Sequence, residues 1–311
     1  GGPWSRPGPI YYRAGNLGEG LVGAVSNGFR IREQARTAPD EVCLHFVATE
    51  GPPSDFTHGD LDRRSQQLAI ALRDRGVGIG DRVGIGLHNT PEFVFAVFAA
   101  WKLGAVPVPM RWDLPEWELG RLTTAIDGKV QLGEDDLDWI ASTAAIEPVD
   151  LPDVTAPHCH GICSSGSTGL PKVIVNNLPA TFDENTGAPY ALGLGLEIPR
   201  PQTVIVLGPM YHINGFGSLY SLLRGDHVVI MEKFDPEQYL ALVERYRITH
   251  SQLVPTMFSR MLKLPDETRR RYDLSTLKVA IHAAAPCPPQ VKEAMIAWWG
   301  PIIDEYYGAT E

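Results

Sequence analysis

The sequence predicts an α/β fold with at least two sheets and mostly parallel strands. Short apolar runs of strand length alternate with longer stretches at helical spacing from residue 42 onward. A complete strand–helix–strand unit stands between Arg82 and Val108, and a crossover of that kind joins parallel neighbours. Gly and Pro punctuate the joints.

Residues 1–27 are rich in Gly, Pro and aromatics without a period, which predicts an irregular lead-in. Cys43-Leu44-His45-Phe46-Val47 alternates as a strand does. Asp60-Leu61 opens a helix with Leu61, Leu68, Ile70, Ala71 and Leu72 at helical spacing, and Gly76 closes it. Arg82–Leu87 reads as a strand, Pro91–Leu103 as a helix with Pro in its first turn, and Ala105–Val108 as a strand. Leu114–Ile126 is helical, and the chain then turns polar and acidic through Asp153. Pro152 and Pro157 bracket an expected boundary, with a first α/β lobe over 1–157 and a second over 158–311. In the second lobe strands are expected at 202–207, 227–231, 249–253 and 277–282, and helices at 216–224, 235–246, 255–264 and 288–299.

A chain of 311 residues can bury a substantial core. Apolar residues make up 44% and charged residues 21%, as in ordinary globular proteins. The net charge of −10 argues against nucleic acid as a partner, because phosphate backbones select basic faces. It leaves room for ATP where Mg²⁺ shares the charge. No apolar stretch is long enough for a transmembrane segment, and no signal peptide is visible. Four cysteines (Cys43, Cys159, Cys163 and Cys287) are too few for a disulfide scaffold, so a cytoplasmic location is expected.

The most informative stretch is Ser164-Ser165-Gly166-Ser167-Thr168-Gly169-Leu170-Pro171-Lys172, set between the apolar runs Gly161-Ile162-Cys163 and Val173-Ile174-Val175. It reads as a tight loop between two strands that offers hydroxyls, backbone N–H groups and one ammonium to a polyanion. It is not a P-loop, since Pro171 and Val173 stand where that motif needs Gly and Ser or Thr. Three further stretches follow expected strands. Tyr306-Tyr307-Gly308-Ala309-Thr310-Glu311 offers a ring to stack on a purine, a hydroxyl for a phosphate and a carboxylate for Mg²⁺. A loop leading into a capped helix is its blander reading. Ile281-His282-Ala283-Ala284-Ala285-Pro286-Cys287-Pro288 leaves room for a flat ring, or for close strand–helix packing. Gly208-Pro209-Met210-Tyr211-His212-Ile213-Asn214-Gly215-Phe216-Gly217 could line a pocket, although a lone histidine in apolar company is as often a structural residue.

Three other patterns are set aside. Gly76-Val77-Gly78-Ile79-Gly80 runs into a strand with no helix directly after it, unlike a dinucleotide fingerprint. His158-Cys159-His160 with Cys163 cannot gather on one side of a strand as zinc ligands must. Asp135-Asp136 reads as part of a solvated connector.

Taken in order, the Ser/Thr/Gly-Pro-Lys loop, the aromatic-His stretch, the Ala-Ala-Pro turn and Tyr-Gly-x-Thr-Glu resemble the adenylate-forming superfamily, which includes acyl-CoA synthetases, firefly-type luciferases and peptide-synthetase adenylation domains. Phe56–Leu61, Gly80–Val83, Gly104–Pro109 and Leu253-Val254-Pro255-Thr256 are similar to further phrases of that family. The resemblance implies the large N-terminal domain of such an enzyme, with the ribose-binding motif, hinge and C-terminal domain with its lysine not represented. It implies that Ser164, Ser165, Gly166, Ser167, Thr168, Gly169 and Lys172 embrace the ATP phosphates. Ala284, Ala285 and Pro286 would border the adenine, and Tyr307, Gly308, Ala309 and Thr310 would complete the nucleotide site. Glu311 would hold Mg²⁺, and catalytic work would fall to Lys172, Thr168, His212, Thr310 and Glu311. Val173 and Cys163 depart from the family's usual residues at their positions.

Met210-Tyr211-His212 looks more like the CoA synthetases, and Ile281–Pro286 resembles fatty-acid and steroid-acid ligases. The expectation is therefore an ATP-dependent acid–CoA ligase that uses ATP, Mg²⁺ and CoA on a carboxylic acid of fatty or steroid type, with a homodimer as a candidate assembly. A nucleotide- or acyl-binding fragment without turnover, and an adenylation domain that loads a carrier protein, are the alternatives.

Overall fold

The structure is a computed structural model that describes residues 24–164, 171–182 and 201–306. Among them the strands form four sheets, and one of these organises the molecule. It has seven strands in the order Ile303–Glu305, Val279–His282, His250–Leu253, Thr203–Val206, His227–Met231, Val42–Val47 and Ser54–Thr57. All neighbours are parallel except the last pair, which is antiparallel. The inner strands are mostly buried, and Thr203–Val206 and His227–Met231 read as largely apolar runs, whereas His250–Leu253 does not; all four residues of Val279–His282 are buried. A second, parallel sheet sets Arg82–Ile85 between Val106–Pro109 and Val130–Leu132. The expected strand–helix–strand unit is its heart.

The helix of that unit, Pro91–Lys102, is buried on every side, and only Glu92 is not. Thr90 caps it by accepting from the Phe93 N–H at 3.4 Å, and Pro91 fits the first turn because its missing N–H has no partner there to lose. Trp101 donates from Nε1 to the Cys159 carbonyl at 2.8 Å and packs edge-on against Phe98. The buried ammonium of Lys102 is matched by the Asp62 carboxylate and the Asp62 carbonyl, the latter at 3.1 Å. Burial lowers its pKa, and Asp62 opposes that shift. Asp62 belongs to the neighbouring helix His58–Asp74, which opens with a capping box of Thr57 and Asp60.

Several expectations need correction. The irregular lead-in ends earlier than residue 27: Val25–Ser26 pairs with Thr181–Phe182, and Ser26 caps a helix, Asn27–Thr37, by accepting from the Phe29 N–H at 3.0 Å. Residues 1–23 lie outside the described part. The acidic connector is not a plain solvated link, because it contributes Val130–Leu132 to a sheet and folds into short helical turns over 134–145. There Asp136 accepts from the Gly133 N–H at 2.9 Å, an N-terminal cap that composition alone does not reveal. The helix expected at 216–224 is broken into Ile213–Phe216, a tighter turn and Tyr220–Leu223. The large sheet draws Val42–Val47 and Ser54–Thr57 from before residue 157 and the rest from after it, so that position does not separate the sheets.

Candidate active site

Four parallel neighbours of the large sheet, Thr203–Val206, His250–Leu253, Val279–His282 and Ile303–Glu305, end at the same edge. In open α/β sheets ligands bind outside such carboxyl ends. The segments that leave these strands carry three of the four stretches singled out in the sequence.

After Thr203–Val206 the chain enters Gly208–Gly217. Asn89, itself buried, holds this segment: its Nδ2 donates to the Gly208 carbonyl at 3.0 Å and its Oδ1 accepts from the Met210 N–H at 2.9 Å. The turn is so tight that a Cβ on Gly215 would stand 2.4 Å from the Pro209 carbonyl oxygen. His212 begins the short helix Ile213–Phe216, and its ring lies 4.4 Å from that of Tyr211. The imidazole reaches solvent, yet the protein around it removes enough water to lower its pKa, and the Arg111 cation lowers it further.

After Val279–His282, Ala283 is buried while Ala284, Ala285 and Pro286 stand exposed as a rim of small side chains. Ala284 adopts φ +71°, a left-handed conformation that costs an alanine about 1–2 kcal/mol. His282 is fully buried beneath the rim, edge-on to Phe258 at 5.4 Å. Its Nδ1 lies 4.0 Å from Glu305, and neither ring nitrogen has a hydrogen-bond partner. Burial lowers its pKa, with Glu305 opposing.

Tyr306 follows Ile303–Glu305 and ties the edge together. Its backbone N–H donates to the His282 carbonyl at 3.3 Å. Its hydroxyl donates to Asn214 Oδ1 at 2.6 Å and accepts from Gln252 Nε2 at 3.0 Å. A cavity of about 30 Å³ lies alongside, lined by Val206, Gly208, Asn214, Ser218, Gln252 and Met257 among others.

The fourth stretch sits on a separate hairpin. Gly161–Ser164 and Lys172–Val175 pair antiparallel, with Ser164 opposite Lys172. A Cβ on Gly161 would lie 2.8 Å from Val173 and 3.3 Å from Val108, so glycine lets the hairpin press onto the strand Val106–Pro109. Val173 thus packs against the core at the foot of the hairpin. Lys172 is exposed, and the Ser164 hydroxyl is buried without a hydrogen-bond partner. Ser165, Gly166, Ser167, Thr168 and Gly169, together with Tyr307, Gly308, Ala309, Thr310 and Glu311, lie outside the described residues. Upstream of the hairpin, His158 contacts the Asn176 carbonyl at 2.9 Å and His160 the Tyr220 hydroxyl at 2.7 Å, so both serve the structure. Among the described residues no group of three or more His, Cys, Asp or Glu could hold a metal ion.

No sequence motif by itself gives a role to Asn89, Asn214, Gln252 or Tyr306. Asn214 and Tyr306 stand within the stretches Gly208–Gly217 and Tyr306–Glu311, but their pairing depends on strand order. Only Asn89, just ahead of a Thr-Pro helix start, stood where a polar residue is conspicuous.

A family model described as AMP-binding enzyme matches residues 31–311. The chain belongs to this family. Among curated proteins it is similar to a feruloyl-CoA synthase from Amycolatopsis sp, 29% identical over 296 residues, covering 89% of this chain and 58% of that protein. It is also similar to 4-coumarate–CoA ligase 1 from Oryza sativa subsp. japonica, 29% identical over 316 residues, covering 86% of this chain and 54% of the relative. The chain therefore spans little more than half the length of these relatives. Among solved structures, the N-terminal domain of FACL13 from Mycobacterium tuberculosis superposes with a TM-score of 0.76 at 21% identity, covering 92% of this chain and 75% of that one. The fold is that of the N-terminal domain of adenylate-forming enzymes, α/β with mostly parallel sheets. No helix among the described residues is long and apolar enough to cross a membrane.

Proposed function

We propose that the protein to which this chain belongs is an ATP-dependent acid–CoA ligase. The family match over residues 31–311 carries the reading, and the CoA-ligase names of the curated relatives support it. A carboxylate oxygen of the acid attacks the α-phosphorus of ATP; the new O–P bond forms as the α–β anhydride bond breaks and pyrophosphate departs. The CoA thiol, giving up its proton, then attacks the acyl carbon and AMP leaves. These steps need alignment and charge neutralisation more than a protein nucleophile.

In this reading the hairpin presents Ser164 to Lys172 to the phosphates, with Thr168 and Lys172 as donors. The rim Ala284, Ala285 and Pro286, together with Tyr307, Gly308, Ala309 and Thr310, holds the nucleotide, and His212 stands beside the acid. Mg²⁺ would depend on Glu311; its chemistry would be to neutralise phosphate charge. The exposed Lys172 at the hairpin mouth, the unpartnered Ser164 hydroxyl and the small-residue rim suit these roles. The acid of fatty or steroid type rests on Met210-Tyr211-His212 and Ile281–Pro286, while the curated relatives are named for aromatic acids. The four free cysteines fit a reducing cytoplasm, and a homodimer is proposed as the assembly.

The test is acid-dependent AMP formation by the whole protein with Mg-ATP, with and without CoA. CoA-dependent AMP release supports the ligase. Release that needs a carrier protein instead favours an adenylation domain, and nucleotide binding without AMP favours a non-catalytic binder.

A further inference from the structure

We infer that a second ligand site lies at the opposite end of the large sheet from the candidate active site, and that it takes a small carboxylate bearing an aromatic ring. A cavity of about 370 Å³ opens there, lined by Arg269, Arg270, Tyr272, Leu277, Trp298 and Trp299 among others. Leu277 and a further lining residue, Ile302, stand just ahead of the strands Val279–His282 and Ile303–Glu305. The cavity is therefore at the amino ends of these strands, one strand length or roughly 13 Å from the edge that leads to Ala284–Pro286. Pockets for small ligands measure roughly 300–1,000 Å³, and a cavity of about 150 Å³ already takes up benzene. There is room for a ring and a short polar arm.

The walls are held by contacts of their own. Trp299 packs 5.8 Å from Phe258 and 6.1 Å from Tyr239, and Trp298 lies 5.7 Å from Trp299. The Arg269 guanidinium stands 5.4 Å from the centre of the Trp298 ring, and the Tyr272 hydroxyl donates to Glu237 at 3.0 Å. The charge is one-sided. Among the described residues that line the cavity none is acidic, and Arg269 and Arg270 share one carboxylate partner, Asp266, which Arg270 approaches to 3.8 Å. Between this pair and its partner one positive charge is left over, which favours a monoanion. At Ser275, also in the lining, Asp273 accepts from the Ser275 N–H at 2.9 Å and Lys278 donates to the Ser275 carbonyl at 2.7 Å, so those two charges offset. Arg269 Nε and Trp299 Nε1 are buried N–H donors without an acceptor, and buried donors rarely stay so. A carboxylate brings acceptors and matches the plane of a guanidinium, while a ring attached to it packs against Tyr272, Trp298 and Trp299.

The experiment is a calorimetric titration of the 311-residue chain with 3-phenylpropanoate, its neutral analogue 3-phenylpropan-1-ol, and octanoate. The wild type should bind 3-phenylpropanoate with a dissociation constant below about 1 mM. The alcohol, which lacks the charge, should bind about tenfold more weakly, and octanoate, which lacks the ring, about threefold more weakly. Arg269→Gln should weaken 3-phenylpropanoate about tenfold. Arg270 is exposed, so Arg270→Gln should cost about threefold and leave the melting temperature of the free protein unchanged. It keeps the test decisive if Arg269→Gln does not fold. No binding by the wild type overturns the inference, as does equal affinity for the alcohol or for octanoate. Wild-type affinity in the folded variants overturns it too, because the ligand then sits elsewhere, at the candidate active site or beyond it.

Discussion

Every residue of the helix Pro91–Lys102 except Glu92 is buried, whereas at the carboxyl edge of the large sheet Ala284, Ala285 and Pro286 lie exposed around a polar clamp. The helix is held by area and shape: Phe93, Phe98 and Trp101 fill space between layers. The edge is held by a few directed bonds, Asn89 to Gly208 and Met210, and Tyr306 to Asn214 and Gln252. The packed core and the proposed site are thus held by different kinds of contact, and substitutions should separate them.

The largest effect belongs to the helix. Trp101→Ala removes a fully buried ring and its bond to the Cys159 carbonyl, and should cost about 3–5 kcal/mol in denaturant unfolding. A loss below about 1 kcal/mol would contradict the tight packing of this helix. Acid comes next. His160 and His250 are buried, and burial lowers both to about 4 from 6.5. The unfolded chain takes up their protons below about pH 6.5 while the folded chain refuses them until about pH 4. Stability is therefore intact above that window and falls as pH drops through it. Together the two histidines should remove about 2–3 kcal/mol between pH 7.5 and pH 5.5, read from urea midpoints at each pH. Flat stability across that range would contradict their neutral burial.

Smaller effects belong to the edge. Asn89→Ala leaves the Gly208 carbonyl and the Met210 N–H without partners and should cost about 2 kcal/mol by thermal unfolding. Because Asn89 holds the segment that carries His212, the same variant should also raise KM for the acid. Tyr306→Phe should cost only about 1 kcal/mol, since it removes one hydroxyl from a half-buried site. If Tyr306→Phe destabilised more than Trp101→Ala, the division of labour drawn here would be reversed.

The same contrast explains what was legible in the sequence. Helix Pro91–Lys102 and strand His227–Met231 announce themselves through apolar runs of the right length with Pro or Gly at their ends. The helix Asn27–Thr37 does not, because it buries only Asn27, Gly28, Ile31 and Gln34 and shows no apolar stripe. Ser54–Thr57 is an edge strand without a buried residue, so its pattern is weak as well. At the candidate site, the loop before Lys172, the segment around His212 and the Ala284–Pro286 rim stand out in the sequence as motifs. The clamp does not, because Asn214, Gln252 and Tyr306 are far apart in sequence and meet only through strand order.

The proposed Mg-ATP site would join the hairpin to the carboxyl edge of the large sheet. A thermal-shift titration with Mg-ATP on the wild type, Lys172→Ala and Glu311→Ala tests it most directly. At about 100 times its dissociation constant the nucleotide should stabilise the wild type by roughly 2.7 kcal/mol, a rise of several degrees. Both variants should melt at the wild-type temperature without ligand and show much smaller shifts with it. No shift in the wild type, or an equal shift in all three proteins, would contradict the account.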